Sequence, residues 1–254
     1  MAIWTTDPGK HWIEWGKRDP YFGVFSSEQY SSGTMDAAAR EHFFATGEKE
    51  IGDALATIRA HFDDAFAPAR SLDFGCGVGR TTIPIARRSQ HAVGLDISTD
   101  MLAEAARNAA AAGVSNVEWV QSDDQLSRLS GNFDFIYSII VLHHIRPEVG
   151  YRIIRRLLSS LNPGGAVALQ IMYQLEMPPS VLAARWVQAR VPGANLLVNL
   201  VRRRPLATPN MEGNVYDLPT VLSLLDDAGC KEPVLQLQHQ GPVRHAMVFA
   251  QKRR

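Results

Sequence analysis

Short apolar runs alternate with amphipathic stretches along the chain from about residue 70. The apolar runs are rich in β-branched and aromatic side chains, which is typical of buried strands. Between them, apolar residues recur at the three- and four-residue spacing of a helix. Five strands are predicted, at 70–74, 91–95, 117–121, 133–140 and 166–172. This order of elements predicts an α/β fold in which helices cover both faces of a parallel sheet.

Capping residues indicate where the predicted helices begin and end. Ser98 precedes an amphipathic run that Gly113 terminates, as N-cap and C-terminal glycine residues do. Pro147 opens a later helix, because proline is tolerated in a first turn. The Asn-Pro-Gly-Gly sequence at 162–165 then separates that helix from the fifth strand.

The alternation stops after Tyr173 and returns near Asp217. Residues 174–216 contain proline breaks, one helical pattern and a run of three arginines. Asp217 is predicted to cap a further helix, and the last two strands are predicted at 234–238 and 246–251. The short connection between them predicts a hairpin, so the seventh strand would be antiparallel.

Composition excludes several broad classes of protein. Of the 254 residues, 46% are hydrophobic and 20% charged, which is close to ordinary globular usage. Basic and acidic side chains number 26 each, so no overall charge attracts nucleic acid or anionic lipid. The charge is uneven, since residues 174–254 hold 10 basic and 6 acidic side chains. Two cysteines, no signal-like beginning and no apolar stretch near the ~20 residues of a membrane helix predict a cytoplasmic protein.

A glycine-rich loop at 73–79 follows the first predicted strand and opens a helix. Glycine lets the backbone approach a ligand closely, and a helix N-terminus supplies free N–H groups. A dinucleotide-binding loop needs a small residue where this chain has Arg80, so the spacing is wrong for a pyrophosphate. The structural alternative is a tight strand-to-helix turn without a ligand.

Acidic residues end the second and third predicted strands. Asp96 lies where a carboxylate can accept two hydrogen bonds from vicinal ribose hydroxyls. Its alternative role is an N-cap, although Ser98 fills that role better. Asp123 and Asp124 end the third strand, where one carboxylate can accept from the exocyclic amino group of adenine; we rank Asp123 first.

In order along the chain, these motifs resemble those of class I S-adenosylmethionine-dependent methyltransferases. The resemblance rests on LDFGCGVG at 72–79, GLDIS at 94–98, QSDD at 121–124, FDFIYSIIVLHHI at 133–145 and LNPGG at 161–165. It covers about 70–173 closely and extends to a tail at 217–251. It implies a seven-stranded, mostly parallel Rossmann-like sheet of strand order 3-2-1-4-5-7-6, with S-adenosyl-L-methionine across the carboxyl ends of strands 1, 2 and 4.

Cofactor-binding residues follow from the resemblance by position. It places Asp96 at the ribose, Ile97 and Met101 near the adenine, and Asp123 or Asp124 at the adenine edge. The backbone around Ser138 and Ile139 would meet the amino end, and Cys76 would contribute packing rather than chemistry. Around the methionine part it places Asp73, Gly75, Gly77 and Gly79.

The candidate catalytic residues are His143 and His144, just past the fourth strand. A hydroxyl or ammonium acceptor needs a proton acceptor, and we favour His144 as that base; the alternative is that both histidines only pack. A histidine base of ordinary pKa gives a rate that rises through one ionisation near ~6.5. No metal site is predicted.

Segments outside the shared core are expected to select the acceptor. Residues 1–45 hold Trp4, Trp12 and Trp15 and are predicted to form an aromatic cap over the site. The alternative is packing against the outer helices. Residues 174–216 are predicted to form a lid, which leaves 46–173 and 217–254 as the cofactor-binding core.

The sequence therefore predicts a methyltransferase acting on an oxygen or nitrogen of a small metabolite or sugar. The alternative is a non-catalytic protein that binds the cofactor as a partner or sensor. Nucleic acid is not expected as a partner, because 137–140 reads Tyr-Ser-Ile-Ile instead of the Asn/Asp-Pro-Pro-aromatic motif that positions a flipped base. We expect no membrane partner and either a monomer or a homodimer.

Overall fold

Seven strands form one sheet in the computed structural model, which describes residues 6–254. They are β1 (Arg70–Phe74), β2 (His91–Asp96), β3 (Val117–Gln121), β4 (Phe133–Ser138), β5 (Leu161–Leu175), β6 (Val234–Gln240) and β7 (Val243–Gln251). Their order is β3-β2-β1-β4-β5-β7-β6, which confirms the predicted fold class and strand order. β7 runs antiparallel to β5 and β6, whereas the other neighbours pair in parallel.

Helices lie on both faces of this sheet. Within the described residues they are α1 (Pro8–Arg18), α2 (Pro20–Val24), α3 (Ala37–His61), α4 (Thr82–Ala86), α5 (Thr99–Ala111), α6 (Pro147–Ser159), α7 (Pro179–Arg190), α8 (Ala194–Val201) and α9 (Leu218–Asp227). The predicted N-caps Ser98 and Asp217 are confirmed, since each side chain accepts a backbone N–H of the first turn. None of these helices is long and apolar enough to span a bilayer.

The central strands are buried on both faces, as expected for a parallel sheet between helices. α6 and α9 cover one face, where Ile154, Leu157 and Leu225 are buried. α3 covers the other face through Ile51 and Ile58. This two-sided core holds the carboxyl ends of β1, β2 and β4 together at one edge of the molecule.

Several predicted strand ends differ from those of the structure, among them the end of β4 and the start of β5. β4 ends at Ser138, and Ile140 beyond it turns to a positive φ of 60°. The Ile140 backbone N–H donates to Oε1 of Gln170 instead of extending a ladder. β5 already begins at Leu161, because residues 162–165 continue the strand through an irregularity in its pairing with β4.

Three helices precede the first strand. α3 crosses position 45, so the predicted boundary between cap and core falls inside a helix. Trp12 and Trp15 belong to α1, whereas Trp4 lies outside the described residues. α1 packs against α5 at the edge of the sheet that carries the cavity described below.

Residues 174–216 form two helices rather than the single one predicted. Gly193, with a φ of 81°, separates α7 from α8. The chain then returns to the core at Tyr216, which is fully buried. The Tyr216 hydroxyl lies 2.8 Å from the carbonyl oxygen of Leu142 and 2.9 Å from that of Ile145. It therefore supports the turn that carries the two predicted catalytic histidines.

Replacing this hydroxyl should destabilise the protein. Tyr216→Phe leaves two carbonyl oxygens without their shared donor, so we expect the free energy of unfolding to fall by about 1–3 kcal/mol in urea denaturation. Tyr151→Phe is the matched control, because its hydroxyl accepts from the exposed N–H of Asp217, where water can replace it. A loss of equal size in both variants would contradict the supporting role of Tyr216.

Candidate active site

A cavity of about 380 Å³ opens at the carboxyl ends of β1, β2 and β4. Open α/β sheets bind ligands at this edge, and small-molecule sites occupy about 300–1,000 Å³. The predicted site residues that line it are Gly75, Gly77, Asp96, Ile97, Met101, Asp123, Asp124, Ile139 and His144. Those that do not line it are Asp73, Cys76, Gly79, Ser138 and His143.

The loop after β1 adopts a positive φ at Gly75, Gly77 and Gly79, of which the first two line the cavity. Gly75 has a φ of 74° and Gly77 a φ of 52°, in the region that favours glycine. A Cβ at Gly75 would lie 2.3 Å from a methyl group of Val141, and one at Gly77 would lie 2.3 Å from a methyl group of Val24. The loop is therefore a cradle that only glycine can build at these two positions.

The Asp96 carboxylate joins the loops that follow β1 and β2. Its Oδ2 accepts the Gly77 N–H and its Oδ1 accepts the Ser98 N–H, each at 2.9 Å. Burial raises the pKa of Asp96, and these backbone donors act in the opposite direction. Asp96 is not the cap of α5, because the Ser98 hydroxyl accepts the Met101 N–H. Each carboxylate oxygen has capacity for a second hydrogen bond from a ligand hydroxyl.

Asp73 supports the glycine loop from behind and does not reach the cavity. Its carboxylate accepts from the hydroxyls of Thr81 and Thr82 at 2.8 and 2.6 Å. Burial raises the pKa of Asp73 to about 6, and burial likewise raises the pKa of the Cys76 thiol well above its ordinary value. Asp73 therefore supports the glycine loop from behind, and Cys76 is buried within that loop.

Asp123 and Asp124 both line the cavity after β3, with different surroundings. The Asp123 carboxylate accepts the backbone N–H groups of Gln125 and Ser127 at 2.9 and 3.0 Å. The Ser127 hydroxyl and these N–H groups lower the pKa of Asp123. The Asp123 carboxylate therefore already stabilises the turn that follows β3.

α1 and α2 cover the cavity where β2 leads into α5. A Cβ at Gly9 would lie 2.8 Å from Cδ1 of Ile97, and one at Gly23 would lie 3.0 Å from Cε of Met101. These glycines let the two helices approach the cavity wall closely. Residues of α1 and α2 thus line the cavity, and α1 also packs against α5.

The two histidines have different surroundings within one 3₁₀ turn, Leu142–His144. His144 lines the cavity, and its ring centroid lies 4.4 Å from that of Trp12. His143 is buried beside the strands, with its ring centroid 5.5 Å from that of His245. His144 is therefore the histidine that can meet a ligand.

His144 is neutral at physiological pH. Its Nδ1 lies 2.7 Å from the backbone carbonyl of Glu212, so Nδ1 carries the proton and Nε2 remains an acceptor. Burial lowers the pKa of His144 to about 4, although the Glu212 carbonyl opposes the shift. The expected ionisation near 6.5 is therefore wrong for this site.

Arg146 is a cavity residue that sequence reasoning missed. Its guanidinium donates to the Thr6 carbonyl at 2.7 Å and lies 3.5 Å from the Glu212 carboxylate. Arg190 approaches the same carboxylate at 3.8 Å, so the three side chains keep a net positive charge. Arg146 directly follows the HHI motif, which is a usable signal. Glu212 and Arg190 lie in the insert, where no spacing indicated them.

Comparison with known proteins connects this geometry to methyltransferases. A methyltransferase domain model matches residues 72–165. Trans-aconitate 2-methyltransferase of Deinococcus radiodurans is 38% identical over 105 residues, which are 41% of this chain and 38% of the relative. The protein of the same name from Variovorax paradoxus is 32% identical over 187 residues, 72% of this chain and 66% of the relative. The matches thus span only about two fifths to two thirds of these relatives' lengths.

Solved structures share the fold at low sequence identity. Magnesium protoporphyrin IX methyltransferase from Synechocystis with bound SAH is 18% identical, with a TM-score of 0.64, over 97% of this chain and 100% of that one. The N-methyltransferase NodS from Bradyrhizobium japonicum, in complex with S-adenosyl-L-homocysteine, is 14% identical, with a TM-score of 0.57, over 95% and 98%. Identities this low establish the fold alone.

The depressed pKa of His144 should make stability depend on pH. The unfolded chain takes up this proton near pH 6.5 and the folded protein near pH 4. The unfolded state binds more protons between these values, so the free energy of unfolding falls as the pH falls through them. His144→Gln should remove up to ~1.4 kcal/mol per pH unit from that slope, measured by urea denaturation.

The matched control is His239→Gln, whose side chain is exposed on β6. We expect its slope to equal that of the wild type. An unchanged slope in His144→Gln would contradict a buried, neutral imidazole.

Proposed function

Because the chain belongs to the class I S-adenosylmethionine-dependent methyltransferases, we propose that it transfers a methyl group to an oxygen of a small anionic metabolite. A carboxylic acid is the acceptor class that the cavity supports best. The main support for this proposal is the set of residues at one cavity. Its wall combines the glycine cradle and Asp96 with the guanidinium of Arg146 and a neutral His144.

The residues present fit the cofactor. Backbone at Gly75 and Gly77 can approach the methionine part, because no Cβ occupies the cradle. Asp96 retains acceptor capacity for the two ribose hydroxyls, and the side chains of Ile97 and Met101 supply apolar walls for the adenine. When bound, S-adenosyl-L-methionine supplies a methyl group activated by a sulfonium.

The remaining cofactor contacts are assigned by what each side chain already does. Asp123 is held by its own turn, so we assign the adenine edge to Asp124. Ile139 lines the cavity just beyond β4 and would meet the amino end through its backbone. Ser138 supports this position from behind, because its hydroxyl donates to the Phe74 carbonyl at 2.9 Å.

The basic side chains at the cavity wall favour a negatively charged methyl acceptor. Arg146 is the one Lys or Arg side chain among the described residues that line the cavity. Glu212 is shared between Arg146 and Arg190, so Arg146 is only partly neutralised. A guanidinium in a partly buried wall binds a carboxylate through charge-assisted hydrogen bonds.

The protonation state of His144 supports the same acceptor class. A hydroxyl or an ammonium must lose a proton on methylation, and a base with a pKa of about 4 is poorly matched to that task. A carboxylate is already deprotonated at neutral pH and needs no base. We therefore assign His144 to the wall of the acceptor site in place of the general base that the sequence suggested. Its unprotonated Nε2 can accept a hydrogen bond from a hydroxyl of the metabolite and donates none to a carboxylate.

Names of relatives agree with this choice. Proteins from Deinococcus radiodurans, Methylobacterium nodulans and Variovorax paradoxus are named trans-aconitate 2-methyltransferase, and trans-aconitate is a carboxylate.

The cap and the insert would exclude water from the transfer. Trp12 covers His144, and Glu212 ties residues 174–216 to the same wall.

The test is an acceptor panel incubated with the protein and S-adenosyl-L-methionine, with S-adenosyl-L-homocysteine measured by mass spectrometry. We expect turnover with small di- and tricarboxylates, none with their amides, and a rate that does not change across neutral pH. Turnover restricted to amines or alcohols would refute the acceptor class. Cofactor binding without turnover on any acceptor would favour the non-catalytic alternative.

Asp96→Asn should weaken cofactor binding. The amide offers one acceptor oxygen where the carboxylate offers two, so we expect a loss of about 1.5–3 kcal/mol in calorimetric affinity. Asp100→Asn is the control, because Asp100 is exposed in the first turn of α5 and lies outside the cavity. Equal affinity of wild type and Asp96→Asn would remove Asp96 from the ribose site.

Arg146→Gln should weaken binding of the methyl acceptor and leave binding of the cofactor nearly unchanged. Loss of a charge-assisted hydrogen bond corresponds to a KM for the carboxylate raised by roughly 10- to 100-fold, with cofactor affinity nearly unchanged. Arg152→Gln, on the exposed face of α6, should leave both constants unchanged. A KM unaltered by Arg146→Gln would place the acceptor elsewhere in the cavity.

A further inference from the structure

Exposed apolar side chains are concentrated in the insert between β5 and α9. Of the twelve large hydrophobic side chains that are exposed in residues 6–254, ten lie between Val181 and Val215. Trp186 is 55% exposed, Leu197 66% and Val201 82%. We call the outward surface of residues 179–206 the insert face. Exposed apolar side chains concentrated in one segment in this way indicate an interaction site.

α8 has its polar residues inside and its apolar residues outside. Asn199 is 2% exposed, and its amide donates to the carbonyl oxygens of Leu206 and Thr208. Leu200 and Val201 on the same helix point outward and are 63% and 82% exposed. A helix that only had to pack on its own protein would have the reverse arrangement. The outward face of α8 is therefore suited to a non-aqueous surrounding.

The insert face is also strongly basic. No Asp or Glu occurs from Met177 to Met211, whereas five arginines do: Arg185, Arg190, Arg202, Arg203 and Arg204. The last three are exposed and follow directly on the apolar end of α8. The guanidinium of Arg190 lies 5.4 Å from the ring centroid of Trp186. Apolar and cationic side chains thus adjoin each other in this segment, although Arg190 also approaches the Glu212 carboxylate at 3.8 Å on the inner side.

We propose that the insert face binds the surface of an anionic lipid bilayer. Such a surface accepts Trp, Leu and Val side chains at the acyl boundary and arginines at the headgroups, as interfacial helices require. A second copy of this chain is a less suitable partner, because the five arginines of one copy would face the five of the other. A nucleic acid would leave the aliphatic side chains facing phosphate and water. The balanced charge of the whole chain, on which the expectation of no membrane partner rested, conceals this local excess.

The binding would be peripheral and separate from methyl transfer. None of the exposed side chains of α7 and α8 lines the cavity, so the proposal does not depend on the proposed function. The inner side of the insert remains attached to the core, because the guanidinium of Arg146 reaches the Ala189 carbonyl at 3.4 Å. The outer side is thus free to contact a bilayer while the fold stays intact.

The experiment is co-sedimentation of the full chain with vesicles at low salt. One set is phosphatidylcholine alone, and in the other about a third of the lipid is phosphatidylglycerol, which supplies the negative surface potential. We expect binding to the anionic vesicles only, weakening as salt screens the charges. R202Q/R203Q/R204Q should lower the partition coefficient about 100-fold, at roughly fivefold for each arginine. L197S/L200S should also abolish sedimentation.

Matched controls use exposed positions outside the insert. R152Q/R155Q/R253Q removes the same charge, and L235S/L237S removes two exposed leucines from β6. Both should bind like the wild type.

Bound vesicles containing brominated lipid should quench Trp fluorescence, and W186F should lose most of that quenching.

Three results would overturn the proposal. The first is absence of binding to anionic vesicles at low salt. The second is equal binding by the insert variants and their controls. The third is a dimer in analytical ultracentrifugation that L197S/L200S dissociates while vesicles bind nothing, which would make the insert face an interface between copies. Circular dichroism and urea denaturation of each variant would establish that it is folded.

Discussion

The contact on which the site depends is the bridge that one carboxylate makes between two loops. β1 and β2 are parallel neighbours, with Phe74 opposite Leu95, so the loops that follow them leave the sheet side by side. Asp96 joins these loops by accepting the N–H groups of Gly77 and Ser98. The positive φ of Gly77 is thereby held by a tertiary hydrogen bond. The same Asp96 carboxylate therefore fixes the geometry of the loop and lines the cavity.

Burial sets the direction of the pKa shift at both ends of the cavity, and the local hydrogen-bond partners oppose it. Removing water disfavours the charged form of any group, so it raises the pKa of Asp96 and lowers that of His144. Backbone N–H groups counteract burial at Asp96, since they stabilise a carboxylate. His144 has a carbonyl partner, Glu212, whose opposing effect is smaller than that of burial. The cavity therefore pairs an acceptor for hydroxyl groups with an imidazole that stays neutral.

The segments outside the shared sheet have two distinct surfaces. α1 and α2 lie over the cavity by way of glycines that allow close approach, and Trp12 contacts His144. The inner side of the insert contacts the cavity wall through Glu212, which meets His144 and Arg146. Its outer side carries α7 and α8, with apolar and arginine side chains toward solvent. One inserted segment thus supports the cavity wall on one side and exposes an apolar, arginine-rich surface on the other.

Local sequence determined the order and nature of the core elements. Strand periodicity, the caps Ser98 and Asp217 and the glycine loop are interactions within a few residues, so their signals are local and were read correctly. The placement of Asp96 at the cavity also followed, because adjacent parallel strands end at one edge. Tertiary structure decided what depends on burial and on distant partners. Four features depend on which atoms exclude water from a given group: the supporting role of Asp73, the low pKa of His144, the charge of Glu212 shared between two arginines, and the outward apolar face of α8. Spacing along the chain does not contain that information.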